Sequence, residues 1–230
     1  IEDILTFLRQ LERENAAWPL LLSHLERRLK DPARAALWLV RAARCSSFCL
    51  YALKEARCRK RLLDEVGYVK GLRAVAAWSR RDDALERWVV EALDGAVEQA
   101  RVYLCAGRLK QAVELARAVE RVCRVCEKGA ETTLVYVGAV AARARACEVV
   151  YDAVLAGAEG DRAAALKALK EARSAAEKAA QMYERWRRVR EKALCVWPIT
   201  EPKKCSTFLE RLFKMGEKEL MFKEVGVEGK

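Results

Sequence analysis

Residues 160–180 read GDRAAALKALKEARSAAEKAA. A glycine and an aspartate open the segment, Ala165, Ala172, Ala176 and Ala179 fall on one helical stripe, and charged residues fill the gaps. Asp161 is a helix N-cap by type, because its carboxylate can accept the orphan N–H groups of the first turn. The pattern predicts one long helix from Asp161 to about Leu194. Glu171, Glu177, Glu184 and Glu191 stand three or four residues from a Lys or Arg, so they read as partners in helix-surface ion pairs.

The same logic extends to both sides. Glu131 to Gly157 is apolar on most faces and is expected to be a central helix. Its most strand-like part, TTLVYV at 132–137, runs directly into GAVAARARA, which is helical in composition. Arg108 to Lys128 reads as a helix closed by Gly129, and the one before it runs from a cap at Asp82 or Asp83 to Gly107. Asp31-Pro32 is another start signal, an N-cap carboxylate followed by proline at the first helical position. The helix it opens is expected to continue to about Glu65, with Gly67 and Gly71 bracketing a break. Glu2 to Asn15 is amphipathic, Pro19 interrupts, and LLLSHLERRL is a short second helix. After Leu194, Pro198 and Pro202 predict a rigid connector. Ser206 is then expected to cap a last short helix, and the tail EVGVEGK to fray.

The fold class that follows is all-α, with about seven or eight helices in antiparallel hairpins, because links of a few residues force neighbouring helices to pack against each other. The arrangement is a bundle or an irregular α-solenoid. Residues 1–195 are expected to form the hairpin domain, and 196–230 the proline-containing connector with its short helix and tail.

Three alanine-marked stretches carry a resemblance. GDRAAALKALKEA places Gly160, Ala165 and Ala172; ARVYLCAGRLKQAVELA places Ala100, Tyr103, Gly107, Ala112 and Ala116; DPARAALWLVRAA places Asp31, Ala35 and Ala42. This resembles the small-residue pattern of tetratricopeptide-like helical hairpins, over about half of the chain and with irregular spacing. The resemblance implies a scaffold that binds protein partners along a concave face, and it carries no functional residues of its own.

Composition narrows the function. Apolar residues make up 53% of the 230 and charged residues 33%, the balance of a folded, heavily charged chain. The longest apolar run, Leu134 to Ala142, is far below the ~18–20 residues of a membrane span, so no membrane partner is expected. Asn15 is the only asparagine, and glutamine occurs only at 10, 99, 111 and 181. Amide depletion points to a hot environment. Nine cysteines alongside it fit a hyperthermophilic archaeon, whose intracellular proteins can carry disulfides, so the expected location is the cytoplasm of such a cell or the interior of a virion.

Catalytic patterns are missing. A single histidine, His24, disfavours multi-histidine metal sites and Ser-His-Asp chemistry, and it reads as a surface or capping residue. No glycine-rich phosphate loop occurs. Cys123 and Cys126 form CRVC near a helix C-terminus, where the dipole disfavours thiolate, and no further ligands stand at zinc-site spacing. They read as buried thiols or as one end of a disulfide. Cys45 and Cys49 are placed one turn apart on the helix starting at Pro32. Cys195 and Cys205 flank the connector and are a possible disulfide. Neither a cofactor nor a metal is expected, nor an enzyme.

The charge balance remains. Lys and Arg number 44 against 33 Asp and Glu, a net +11. From Arg34 to Arg61 there are eight basic residues and one acidic, and from Arg101 to Lys128 seven basic and three acidic. RCRKR places Arg57, Arg59, Lys60 and Arg61 together. ERWRRVREK places Arg185, Arg187, Arg188, Arg190 and Lys192 around Trp186, which could stack on a base or anchor the helix. Basic stripes on long helices are the footprint of phosphate-backbone contact. The expectation is a non-catalytic protein that binds the DNA or RNA backbone with little sequence specificity, of the archaeal viral nucleoprotein or ribonucleoprotein-subunit type. The alternative is a tetratricopeptide-like scaffold for protein partners, or for self-association.

Overall fold

A computed structural model describes residues 7–10, 12–65 and 84–225, without the side chains of 59–65. Among the described residues the chain is helical, with no strand beyond one isolated bridge between Asn15 and Ser47. The helices with described bounds are α1 (Ala17–Arg28), α2 (Pro32–Ala42), α3 (Ala52–Glu65), α4 (Ala84–Cys105), α5 (Leu109–Gly129), α6 (Thr133–Leu155), α7 (Arg162–Glu191), α8 (Trp197–Thr200), α9 (Pro202–Met215) and α10 (Glu217–Val225). A π-helical turn, Lys192–Val196, joins α7 to α8. The all-α reading holds. Contacts divide the chain into two units, Ile1–Leu50 with Ala84–Ala130 and Leu134–Ala179, and Tyr51–Asp83 with Glu131–Thr133 and Ala180–Lys230.

In the first unit, hairpin α1–α2 packs on hairpin α4–α5. Asp31 caps α2, its Oδ1 accepting from Arg34 N at 2.9 Å. Ser23 Oγ donates to Ala35 O at 2.8 Å, so even the polar residue inside this hairpin is satisfied. Gly107, at φ 71°, makes the tight turn from α4 to α5, a conformation that costs a side chain but not a glycine. Helix α5 is amphipathic. Ala112, Val113, Leu115, Ala116, Ala118, Val119, Val122, Cys123 and Cys126 are buried, while Glu114, Arg117, Arg121 and Arg124 between them face solvent. Helix α6 is covered on nearly every face, as its sequence predicts, with no exposed residue from Thr133 to Tyr151. It approaches α4 so closely that a Cβ on Gly138 would sit 2.6 Å from Val90 Cγ2. The start of α7, capped by Asp161 Oδ1 accepting from Ala163 N at 2.8 Å, lies against α6 through Ala144, Cys147, Leu169 and Ala172.

The expected helix from Pro32 to Glu65 is instead two helices. Residues 43–51 turn back to meet residues 12–16: Ser47 N donates to Glu14 O at 3.0 Å and Ala16 N to Ser47 O at 2.8 Å. The lone asparagine locks this crossing. Asn15 Oδ1 accepts from Ala17 N and Cys49 N, at 3.1 and 3.0 Å, and Nδ2 donates to Cys49 O and Glu12 Oε2, at 2.9 and 2.8 Å. Tyr51, at φ 57°, completes the break. Cys45 and Cys49 are therefore connector residues, not neighbours on a helix. Pro19 does not interrupt either; it lies in the first turn of α1, where a missing N–H costs nothing. Gly67, Gly71, Asp82 and Asp83 lie outside the described residues.

In the second unit the expected proline connector is helical. Pro198 cannot donate to the carbonyl of Leu194, and the backbone widens into the π turn just before it. Pro202 is the first residue of α9, so Ser206 lies inside that helix and does not cap it. Glu224 and Val225 belong to α10, and residues 226–230 lie outside the described chain. Glu131 and Glu217 fasten this unit. Glu131 O accepts from Glu217 N and Lys218 N, and its Oε2 accepts from Leu53 N at 3.1 Å at the start of α3. Glu217, 2% exposed, reaches back to Thr133 N at 3.3 Å at the start of α6. Each carboxylate lies at a helix N-terminus, the end that favours negative charge.

Candidate polyanion-binding surface

The structure separates the basic clusters into arginines used by the fold and arginines left at the surface. Arg57 is used: its Nε and Nη2 donate to the carbonyls of Phe213 and Lys214, at 2.9 and 3.1 Å, satisfying the end of α9. The side chains of Arg59, Lys60 and Arg61 lie outside those described. Trp186 is a core residue and not a stacking platform. It is fully buried, stacks on Phe208 at 5.7 Å between centroids, and donates Nε1–H to Glu217 Oε1 at 3.2 Å. Its burial continues the small-residue stripe at sevenfold spacing, Ala172, Ala179, Trp186, Ala193, all four buried. That spacing was readable in the sequence and marks the apolar seam.

Arg190 pairs with Glu217, Nε to Oε1 at 3.2 Å, and Arg187 with Glu184 at 3.4 Å. Of ERWRRVREK, Arg185, Arg187, Arg188 and Lys192 are solvent-exposed. Arg188 and Lys192, one turn apart, have no acidic partner among the described residues.

The clearest basic surface is on α5. Its exposed row is Lys110, Glu114, Arg117, Arg121, Arg124 and Lys128, spaced four, three, four, three and four residues apart. That spacing keeps one helical face, and from Arg117 to Lys128 it covers roughly 16 Å at ~1.5 Å per residue. Arg124 is held by Glu120 at 2.8 Å, while Arg117 and Arg121 have no acidic partner among the described residues. The sequence shows the excess between Arg101 and Lys128, but the common face emerges only when the buried positions of α5 are known.

The remaining chemistry-bearing residues are structural. His24, expected at the surface, is 4% exposed and stacks on Trp88 at 5.1 Å, with Nδ1 3.4 Å from Glu91 Oε2. Burial lowers its pKa below 6.5, outweighing the opposite pull of Glu91. Cys123 and Cys126 are fully buried in the core, and desolvation raises both thiols, Cys123 well above the ordinary value. Neither is a reactive thiolate. In the structure the nine cysteines are free thiols; Cys195 is exposed, and buried Cys205 donates Sγ–H to Ala193 O at 3.3 Å. No helix among the described residues is long and apolar enough to cross a membrane, and no group of three His, Cys, Asp or Glu is placed to hold a metal ion there. Comparison with protein-family models, curated proteins and solved structures gives no significant match, so the reading of this surface rests on its own geometry.

Proposed function

We propose that the protein is a non-catalytic helical scaffold that contacts the phosphate backbone of a nucleic acid, with little sequence specificity. One observation carries this reading: the exposed face of α5 gathers Arg117, Arg121, Arg124 and Lys128 in a single row in which Glu114 is the only acid. Arginine forks suit phosphate oxygens, and no base-reading element accompanies them. Exposed Arg188 and Lys192 are a second, smaller source of positive charge.

A row of this kind neutralises about three phosphates, which sets a log–log salt slope of about −2.7 on duplex DNA and a roughly 40-fold loss of affinity between 50 and 200 mM salt. A mobility shift on random-sequence DNA and RNA across that range is the test. Arg117→Ala with Arg121→Ala should flatten the slope by about two. Absence of a shift at low salt refutes the reading, and an unchanged slope in the double variant removes α5 as its site.

A tetratricopeptide-like scaffold gripping a protein partner is the second reading, favoured by the packing of hairpin α1–α2 on hairpin α4–α5. Burial of Ala35, Ala42, Ala100, Ala112, Ala116 and Ala172 is what close helix approach in such hairpins requires. Binding of that kind would be far less sensitive to salt than backbone contact.

A further inference from the structure

The first unit pairs several of its arginines. Arg34 meets Glu26, Arg101 meets Glu98 and Glu148, Arg143 meets Glu127, Arg145 meets Asp94 and Arg173 meets Glu148. Beside the unpaired Arg117 and Arg121 of α5, one further place gathers arginines without acidic partners among the described residues. A cleft of about 530 Å³ is lined by Arg9, Gln10, Arg13, Pro19, Arg41 and Cys45, and among the described residues no carboxylate pairs with any of its three guanidinium groups. The two acids closest in sequence are engaged elsewhere. Glu12 Oε2 accepts from Trp18 Nε1 and Asn15 Nδ2, and Glu14 Oε2 accepts from Ser46 Oγ.

Two of the arginines are also held in place. Arg9 and Arg41 both lie over the indole of Trp38, 5.2 and 4.5 Å from its centroid. Such stacking fixes a guanidinium by its face and leaves its N–H edge free to donate. The Cys45 thiol lies 3.6 Å from both the Arg13 and Arg41 carbonyls, tying together the two segments that carry them. Arg9 Nε is buried without an acceptor, a costly state for a donor in the absence of a ligand. Three like charges around a cleft of ligand size, two of them stacked on one indole, suit an anion.

We infer that the cleft of Arg9, Arg13 and Arg41 binds a phosphate group, through charge-assisted hydrogen bonds from the three guanidinium edges. The site is separate from the α5 row and does not depend on it. The phosphate can belong to a small molecule or to the end of a nucleic acid strand, and the chemistry recognised is the same.

The test is calorimetric titration and thermal unfolding of the full chain with inorganic phosphate, against chloride at equal ionic strength. Phosphate should bind and raise the melting temperature progressively with its concentration. Arg13→Ala, which removes an exposed side chain, and Arg41→Lys, which keeps charge but loses the fork, should each weaken binding by about tenfold or more. Two further arms identify the source. Adenosine monophosphate binding where adenosine does not indicates a small ligand, and preference for a 5′-phosphorylated oligonucleotide over its 5′-hydroxyl form indicates a strand end. Loss of that discrimination in Arg13→Ala supports the site in either case. The inference is overturned if phosphate, the monophosphate and the phosphorylated strand all fail to bind in excess of their controls, or if they bind equally well to both variants. The Arg117→Ala, Arg121→Ala protein should keep its phosphate response, which separates failure of the cleft from failure of the backbone reading.

Discussion

Replacement of Glu217 by Ala should cost about 3 kcal/mol, although the residue touches no proposed ligand. The carboxylate is 2% exposed, accepts from two donors, Trp186 Nε1 and Thr133 N, and forms an ion pair with Arg190. Without it, two buried N–H groups lose their acceptor, each worth about 1–3 kcal/mol. Arg190 adds little, because its side chain is 37% exposed and can turn to water. For a chain of this length ~3 kcal/mol corresponds to roughly 6–12 °C in melting temperature. The assay is denaturant unfolding followed by tryptophan fluorescence, with Trp186→Phe as the second arm of a double-mutant cycle. Trp186→Phe removes the indole donor, so its cost should be about 1 kcal/mol smaller in the Glu217→Ala background than in the parent. A Glu217→Ala cost below ~1 kcal/mol, or additivity in the cycle, refutes the account of this node. The Trp186→Phe variant also tests base stacking by Trp186: loss of a base-stacking residue would lower nucleic-acid affinity and leave stability alone.

Other consequences follow from single residues. Asn15→Asp should lose about 2–4 kcal/mol in denaturant unfolding, since it deletes the donors to Cys49 O and Glu12 and sets a second carboxylate against Glu12; an isoenergetic variant would show that the crossing at 43–51 is held by something else. Because burial lowers the His24 pKa, the unfolded chain takes up the proton first, so the His24 contribution is full above pH ~6.5 and declines as pH falls from there through the lower folded value. The melting temperature of His24→Phe, which keeps the stacking on Trp88, should therefore fall less than the parent's below pH 6.5, and parallel curves would contradict the burial argument. Iodoacetamide at pH 8 should label exposed Cys58, Cys105 and Cys195 in the folded protein and reach Cys123 and Cys126 only on unfolding, with peptide mapping finding no Cys195–Cys205 bridge.

Features set by neighbours in sequence were legible from the sequence. The caps at Asp31 and Asp161 depend on a carboxylate three or fewer residues from the N–H it accepts, and both form. The central place of α6 follows from its being apolar on every side. The break after Ala42 was poorly legible, because residues 33–50 contain no glycine or proline and the only local hint is CSSFC at 45–49, a run of weak helix formers. The helix ends there because a distant asparagine offers the backbone of Cys49 better partners than another helical turn would. Arg57 is similar in kind: its acceptors lie 156 and 157 residues away, out of reach of any local pattern.

The arginines show why charge density in a sequence is a poor guide to charge on a surface. ERWRRVREK packs five cations into nine residues, and at 100° per residue they are spread around the whole circumference of α7. Some must then face the interior side, beside the Trp186 seam, and Arg190 does so only because Glu217 is there to receive it. On α5 the cations are sparser, but steps of three and four keep them on the one face that packing leaves open. The dense cluster thereby spends Arg187 and Arg190 on Glu184 and Glu217, whereas the periodic row leaves Arg117 and Arg121 without an acidic partner among the described residues. By that reasoning the row Arg117, Arg121, Arg124, Lys128, and not the densest run, is the surface to which the proposed phosphate contact is assigned.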